Sequence, residues 1–333
     1  AAMAPCVRRD DTRAQRAHRA AETNHVNDII LHHYPTSPFS EKVRLVLGLK
    51  ALAWKSVVVP VMLPKPDAVA LTGGYRRTPF MQIGADVYCD SALMCKAIDR
   101  LAPAPPLYPE ASGGLAEIVA QWADSALFWA AVPYTMQPAG AAHVFAGAPP
   151  EYLKAFRDDR AAMMAGTRRA TVADMGAQLG SYLGWLERRL GDGRPWLLGA
   201  EPCIADFSVA QSIWFLRRAP PVVALLAPSP RLDAWYERVH AIGHGRSETM
   251  SSVAALEVST RATSHAAVAV EPGQGLEAGA QVTVTATDYA ADPVSGRLSG
   301  LDRDEVALLR DDARAGRVQV HFPRIGYQVR AVV

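Results

Sequence analysis

The chain has 333 residues, 50% of them hydrophobic and 20% charged, with a formal net charge of +2. That length is too great for one ordinary domain, and the near-neutral balance gives no general attraction to nucleic acid or an anionic membrane surface. No apolar run approaches the roughly 20 residues that span a bilayer, so no membrane partner is expected.

Cys6, Cys89, Cys95 and Cys203 lie far apart with no CxxC pair. This suits buried single thiols in a reducing compartment better than a disulfide framework, and a cytoplasmic location is the expectation.

Residues 1–26 are rich in Arg, Asp, Ala and Thr and lack the apolar core of a secretory signal, so a mobile tail is expected there. The first strand falls at residues 29–33. The helix after it carries Val43, Leu45, Val46, Leu47, Leu49 and Leu52, too many apolar side chains for a solvated face. Val57, Val58 and Val59 make a second strand ended by Pro60, and Pro64 and Pro66 allow only a short helix over residues 63–71. Residues 80–83 and 87–88 form a hairpin about Gly84, Ala85 and Asp86, and residues 91–101 close the unit as a helix. This βαβ-then-ββα order predicts a thioredoxin-like α/β domain over residues 27–104.

Pro103, Pro105, Pro106 and Pro109 mark a linker. An all-α domain is expected over residues 105–246, with helices at 115–134, 151–167, 171–190, 204–217 and 232–242. Gly191-Asp192-Gly193 and Pro220-Pro221 are its clearest breaks. Asp206 caps the start of one of these helices, but at position 203 a cysteine stands where a hydroxyl residue would complete the reciprocal cap. Trp122, Phe128 and Trp129 share another helix and are read as core or as the wall of an apolar pocket.

Residues 247–333 change character. A helix is expected at 248–261, then alternating runs at 282–286 and 318–329, with Pro323 shifting the phase. These predict a small, mostly-β domain, a barrel being one form of it, with no legible functional signal.

Three short motifs bear on chemistry. Ser37-Pro38-Phe39-Ser40 follows the first strand and opens the first helix. A helix N-terminus offers unpaired N–H groups and the positive end of a dipole, so an anion is stabilised there, and Ser37 or Ser40 can add a hydroxyl donor. Thr78-Pro79 precedes the strand at residue 80, and Asp90-Ser91 opens the helix at residue 91. Each has an ordinary alternative: Ser37 and Asp90-Ser91 as plain caps, Thr78-Pro79 as a strand start, Arg76 and Arg77 as loop cations. Tyr34 is read as packing or pocket wall. His32 and His33 look like half a metal site without partner spacing, so no metal is expected.

Together these motifs make residues 28–244 resemble the glutathione S-transferase family, of the serine type with an omega- or zeta-like active-site turn, and with an extra C-terminal domain. The nucleophilic cysteine of omega-class members falls at Ser37, so the resemblance implies activation of bound glutathione rather than a mixed disulfide. A thiol with an ordinary pKa of about 8.5 must drop by ~2 units to be mostly thiolate at neutral pH, through hydrogen bonds to its charged form.

By resemblance, Ser37 supplies such a bond, with Ser40 as second candidate. Thr78, turned by a cis Pro79, pairs through its backbone with the cysteinyl part of glutathione. Asp90 takes the γ-glutamyl ammonium and Ser91 its carboxylate, while Arg77, with Arg76, reaches the glycyl carboxylate. The implied function is attack by glutathione, as co-substrate, on a small, partly apolar electrophile, in a detoxifying homodimer. The rival is a non-catalytic glutathione-binding or regulatory protein that keeps the fold. The serine assignment requires Ser37 to face an open cleft and the peptide before Pro79 to be cis.

Overall fold

The computed structural model describes residues 28–167 and 170–332, and the tail expected over residues 1–26 lies outside them. The chain begins with β1 (Ile30–His33), α1 (Pro38–Leu49), β2 (Ala53–Val58), α2 (Pro66–Thr72), the hairpin β3 (Phe80–Ile83) and β4 (Asp86–Cys89), and α3 (Ser91–Leu101). β1 pairs in parallel with β2 and antiparallel with β3, which pairs antiparallel with β4. This is the thioredoxin-like order expected.

Local chemistry sets the helix starts. Ser37 caps α1 by accepting from the Ser40 amide at 3.2 Å, and Pro38 stands in the first turn, where a missing N–H does no harm. Val43, Leu45, Val46 and Leu47 are then buried in the main apolar core. Gly48 lets α1 approach residue 243 closely, since a Cβ there would lie 2.0 Å from the Gly243 carbonyl oxygen.

The helical unit runs through α4 (Leu115–Trp122), a π turn (Ala123–Leu127), α5 (Phe128–Thr135), α6 (Pro138–Val144), α7 (Pro150–Met163), α8 (Val172–Arg189), α9 (Ile204–Arg217), α10 (Pro220–Val223) and α11 (Pro230–His240). The single helix expected over residues 115–134 is therefore interrupted by a π turn, and the prolines read as a break at 220–221 instead start a short helix. Asp206 carries the start of α9 despite Cys203. It is fully buried and accepts from the amides of Cys203 at 3.0 Å and Leu197 at 2.9 Å, and from the Trp235 indole at 2.8 Å.

The remainder corrects the sequence reading. The helix expected at 248–261 begins late, because residues before it form β5 (Arg246–Thr249); the helix itself is α12 (Ser252–Arg261). After it come β6 (Gln281–Ala286), β7 (Val294–Leu301), β8 (Glu305–Asp312), β9 (Gly316–Pro323) and β10 (Tyr327–Ala331).

These strands are mostly β as predicted, but they do not close into a barrel. They extend the thioredoxin-like sheet into one ten-stranded open sheet of order β10-β6-β7-β8-β9-β4-β3-β1-β2-β5. β9 pairs in parallel with β4, matching Asp86 to Gln319 and Tyr88 to His321, and β5 pairs in parallel with β2. Both edges of the N-terminal sheet are thus covered, which removes two rows of unpaired backbone groups. Among the described residues, no helix is long and apolar enough to cross a membrane.

The β4–β9 seam holds a buried charge cluster. His321 is fully buried, stacks on Tyr88, and bonds Asp86 through Nε2 and Glu305 through Nδ1, each at 3.0 Å. Burial alone would lower the His321 pKa, but the two carboxylates outweigh it and hold the imidazolium above its ordinary value. His265 Nδ1 lies 3.8 Å from Asp86, and Arg100 reaches Glu305 at 3.2 Å.

A raised folded-state pKa contributes stability that is complete below the unfolded value of about 6.5 and is lost as pH rises through the folded one. The thermal midpoint should therefore fall between pH 6 and pH 9. His321→Gln should melt lower than wild type at pH 6 and vary less with pH; an identical profile in the variant would contradict the assignment.

Candidate functional site

A cavity of about 210 Å³ lies where the sheet, the helical unit and the C-terminal strands meet. Arg77, Thr78, Pro79, Asp90 and Ser91 line it, so the structure gathers the predicted binding residues around one space. The Thr78–Pro79 peptide is cis. Asp90 has φ of +75°, a backbone conformation that L side chains rarely adopt and that costs on the order of 1–3 kcal/mol. It caps α3 by accepting from the Ala92 amide through Oδ1 at 2.9 Å, which leaves Oδ2 for another partner. Ser91 is buried at the first turn of α3, and its hydroxyl has no hydrogen bond among the described residues.

The serines behave otherwise than expected. Ser37 is 1% exposed, and neither it nor Ser40 lines the cavity. Ser37 Oγ accepts from the Ser40 amide and donates to the Thr78 carbonyl at 3.4 Å, a long and weak bond. Ser40 is fully buried, its hydroxyl without a partner among the described residues. Of the two conditions for the serine assignment, the cis peptide is met and the open cleft is not. Physically, the cap draws the Ser37 side chain over its own helix start. Tyr34 sits half-buried close by; burial raises its phenol above the usual range, against the pull of Arg160 and the Ser37 hydroxyl.

The two arginines divide. Arg76 turns to Asp159 at 2.6 Å and leaves the cavity, whereas Arg77 lines it. Lys65 holds this loop from behind, with Nζ 3.1 Å from Thr78 Oγ1 and 3.3 Å from the Arg76 carbonyl; burial pulls its pKa down to about 8.

The aromatic residues expected at the wall stand one layer back. Phe128 packs on Phe39, which lines the cavity, and Trp129 meets Tyr289 edge-on at 5.0 Å. The adjacent histidines serve packing: His32 stacks on Phe80 and bonds Gln82 at 2.9 Å, and its burial takes its pKa to about 4.

Several lining residues escaped sequence reasoning. Lys42, fully buried, pairs with Asp124 of the π turn and so joins α1 to the helical unit; Gln211 Nε2 donates to the other Asp124 oxygen at 2.7 Å. Burial alone would lower the Lys42 pKa, but Asp124 outweighs it and keeps the ammonium charged. A lysine among the apolar residues of α1 was the available signal. Asp288, Tyr289 and Tyr327 also line the cavity. Asp288 and Tyr289 come from the turn after β6 and Tyr327 from the start of β10, and nothing in their local sequence marks them.

Residues 31–106 match the glutathione S-transferase N-terminal domain family and residues 169–238 the glutathione S-transferase C-terminal domain family. No curated protein matches the chain. Among solved structures, a GST-like protein from Pseudomonas syringae is 38% identical, with 92% of this chain and 100% of that chain covered and a TM-score of 0.76. That share is too large to leave out the C-terminal strands.

Two others match less of the chain. A glutathione S-transferase from Rhodospirillum rubrum F11 is 20% identical, covering 64% of this chain and 88% of that one, at a TM-score of 0.47. A delta-class glutathione transferase from Nilaparvata lugens is 19% identical, covering 65% and 90%, also at 0.47.

The buried Lys42–Asp124 pair gives a direct test of how the two units are joined. Removing one partner strands a charge, which typically costs about 3–5 kcal/mol. Lys42→Met should lose stability of that order in urea unfolding, and adding Asp124→Leu should recover part of it. A loss under ~1 kcal/mol in the single variant would show that the pair is not what fastens α1 to the π turn.

Proposed function

The chain belongs to the glutathione S-transferase family, and we propose that its cavity holds reduced glutathione as co-substrate for attack on a small, partly apolar electrophile. The observation that carries this reading is the convergence of Arg77, Thr78, Pro79, Asp90 and Ser91 on one cavity. Their chemistry is complementary to a zwitterionic peptide. Asp90 Oδ2 accepts from an ammonium, and the free Ser91 hydroxyl and the first-turn N–H groups of α3 donate to a carboxylate. The Thr78 backbone pairs with the cysteinyl peptide as a short added strand. Arg77 takes the distal carboxylate.

Ser37 is assigned the thiol by proximity, since its Oγ is 3.4 Å from the Thr78 carbonyl. The weak bond to that carbonyl leaves the hydroxyl proton free to turn toward a thiolate, while the Ser40 amide holds the oxygen in place. Because Ser37 is 1% exposed, this donation requires the surrounding chain to open when the tripeptide binds. The same burial favours a second reading, in which glutathione is bound without turnover. A homodimer and a detoxifying role extend the first reading.

The two readings separate in a paired assay of glutathione binding and conjugation of a standard aromatic electrophile. On the first, Ser91→Ala weakens glutathione binding about tenfold, and Ser37→Ala keeps binding but loses roughly 10²-fold in turnover, the usual effect of removing one donor to a developing anion. Binding with no turnover in the wild type would establish the second reading. Conjugation undiminished in Ser37→Ala would remove the serine from the mechanism.

A further inference from the structure

We propose that the C-terminal strands carry a built-in competitor for the tripeptide: Asp288 and Tyr327 already occupy the two charged anchors at which glutathione is to be held. This rests on the reading above that Arg77 and Asp90 are those anchors.

The Arg77 guanidinium donates to the Asp288 carboxylate and to the Tyr289 carbonyl, and the Tyr289 ring lies over it at 3.9 Å. A carboxylate thus stands on Arg77 as the glycyl end of glutathione would. At the other anchor the Tyr327 hydroxyl donates to Asp90 Oδ2 at 3.1 Å, on the oxygen that the α3 cap leaves free, and meets the Tyr75 hydroxyl at 3.3 Å. That is the place of the γ-glutamyl ammonium.

The two contacts are mechanically linked. β10 pairs antiparallel with β6, so Tyr327 sits opposite Ala286, and the Thr287 amide donates to the Gly326 carbonyl at 3.0 Å. The turn after β6 is tied to the helical unit as well, since the Ala290 amide donates to the Met163 carbonyl at 2.7 Å.

Space leads to the same conclusion. At about 210 Å³ the cavity is below the ~300–1,000 Å³ usual for small-molecule sites, and Asp288, Tyr289 and Tyr327 are among the groups that wall it in. Ser91, which these residues do not engage, keeps its hydroxyl open. Glutathione therefore enters by displacing Asp288 from Arg77 and Tyr327 from Asp90, and its apparent affinity is reduced by the population of the self-occupied form.

Calorimetric titration of reduced glutathione into wild type, Asp288→Asn, Tyr327→Phe and the double variant tests this, with Ser91→Ala alongside. Each single substitution should tighten binding several-fold and the double at least tenfold. A double variant that binds no more tightly than wild type, while Ser91→Ala weakens binding, overturns the competitor and leaves the glutathione reading intact. No binding in any of the proteins overturns both.

Hydrogen exchange on the unaltered protein gives an independent readout. Saturating glutathione should raise deuterium uptake at residues 287–290, and unchanged or lower uptake there counts against displacement.

Discussion

The parallel pairing of β9 with β4 is the constraint on which the rest of this molecule depends. β4 would otherwise be the exposed edge of a thioredoxin-like sheet, a row of unsatisfied backbone donors and acceptors. The Gln319 backbone N–H helps close that row by donating to the Ala85 carbonyl at 2.9 Å, and the buried His321 fixes the register between Asp86 and Glu305. Once that register is set, β8, β7, β6 and β10 follow outward. The turn after β6 and the start of β10 then come to rest in the cavity beside Arg77 and Asp90. A sheet-edge pairing thus decides what a ligand meets in the site.

Two kinds of electrostatics operate in this molecule. Lys42 with Asp124 and His321 with its two carboxylates are buried and fastened, and their role is to join units. Arg77 with Asp288 is partly exposed on the acid's side, where Asp288 is 50% accessible, so this pair is the more easily exchanged. The same distinction separates Asp90 Oδ1, committed to the α3 cap, from Oδ2, shared with a tyrosine hydroxyl. Lys42 with Asp124 lines the same cleft as the exchangeable pairs, and the exchangeable ones coincide with the groups whose chemistry suits a zwitterionic peptide.

Much of this was legible in the sequence because it is local. Ser37 before Pro38 announces a cap, Asp90-Ser91 announces another, and the run from Val43 to Leu47 announces a buried helix; all three are present. The gathering of Thr78, Pro79, Asp90 and Ser91 was legible too, since a strand-hairpin-helix order brings them together. The burial of the Ser37 side chain was not legible, because capping and presenting a hydroxyl to a ligand leave the same residue types at the same spacing.

The C-terminal strands were read as a separate unit, because pairing partners far apart in the chain leave no periodic trace. Asp288 stands 211 residues from Arg77 and Tyr327 stands 237 from Asp90, and alternation shows only that a strand exists, never which edge it joins.

The most direct measurement is a crystal structure of the protein grown with reduced glutathione. It should show the γ-glutamyl end on Asp90 and Ser91, the cysteinyl backbone against Thr78, and Arg77 turned from Asp288 to the glycyl carboxylate. Glutathione lodged elsewhere, or a cavity without it in which Arg77 still holds Asp288, would contradict the assignment of this cleft.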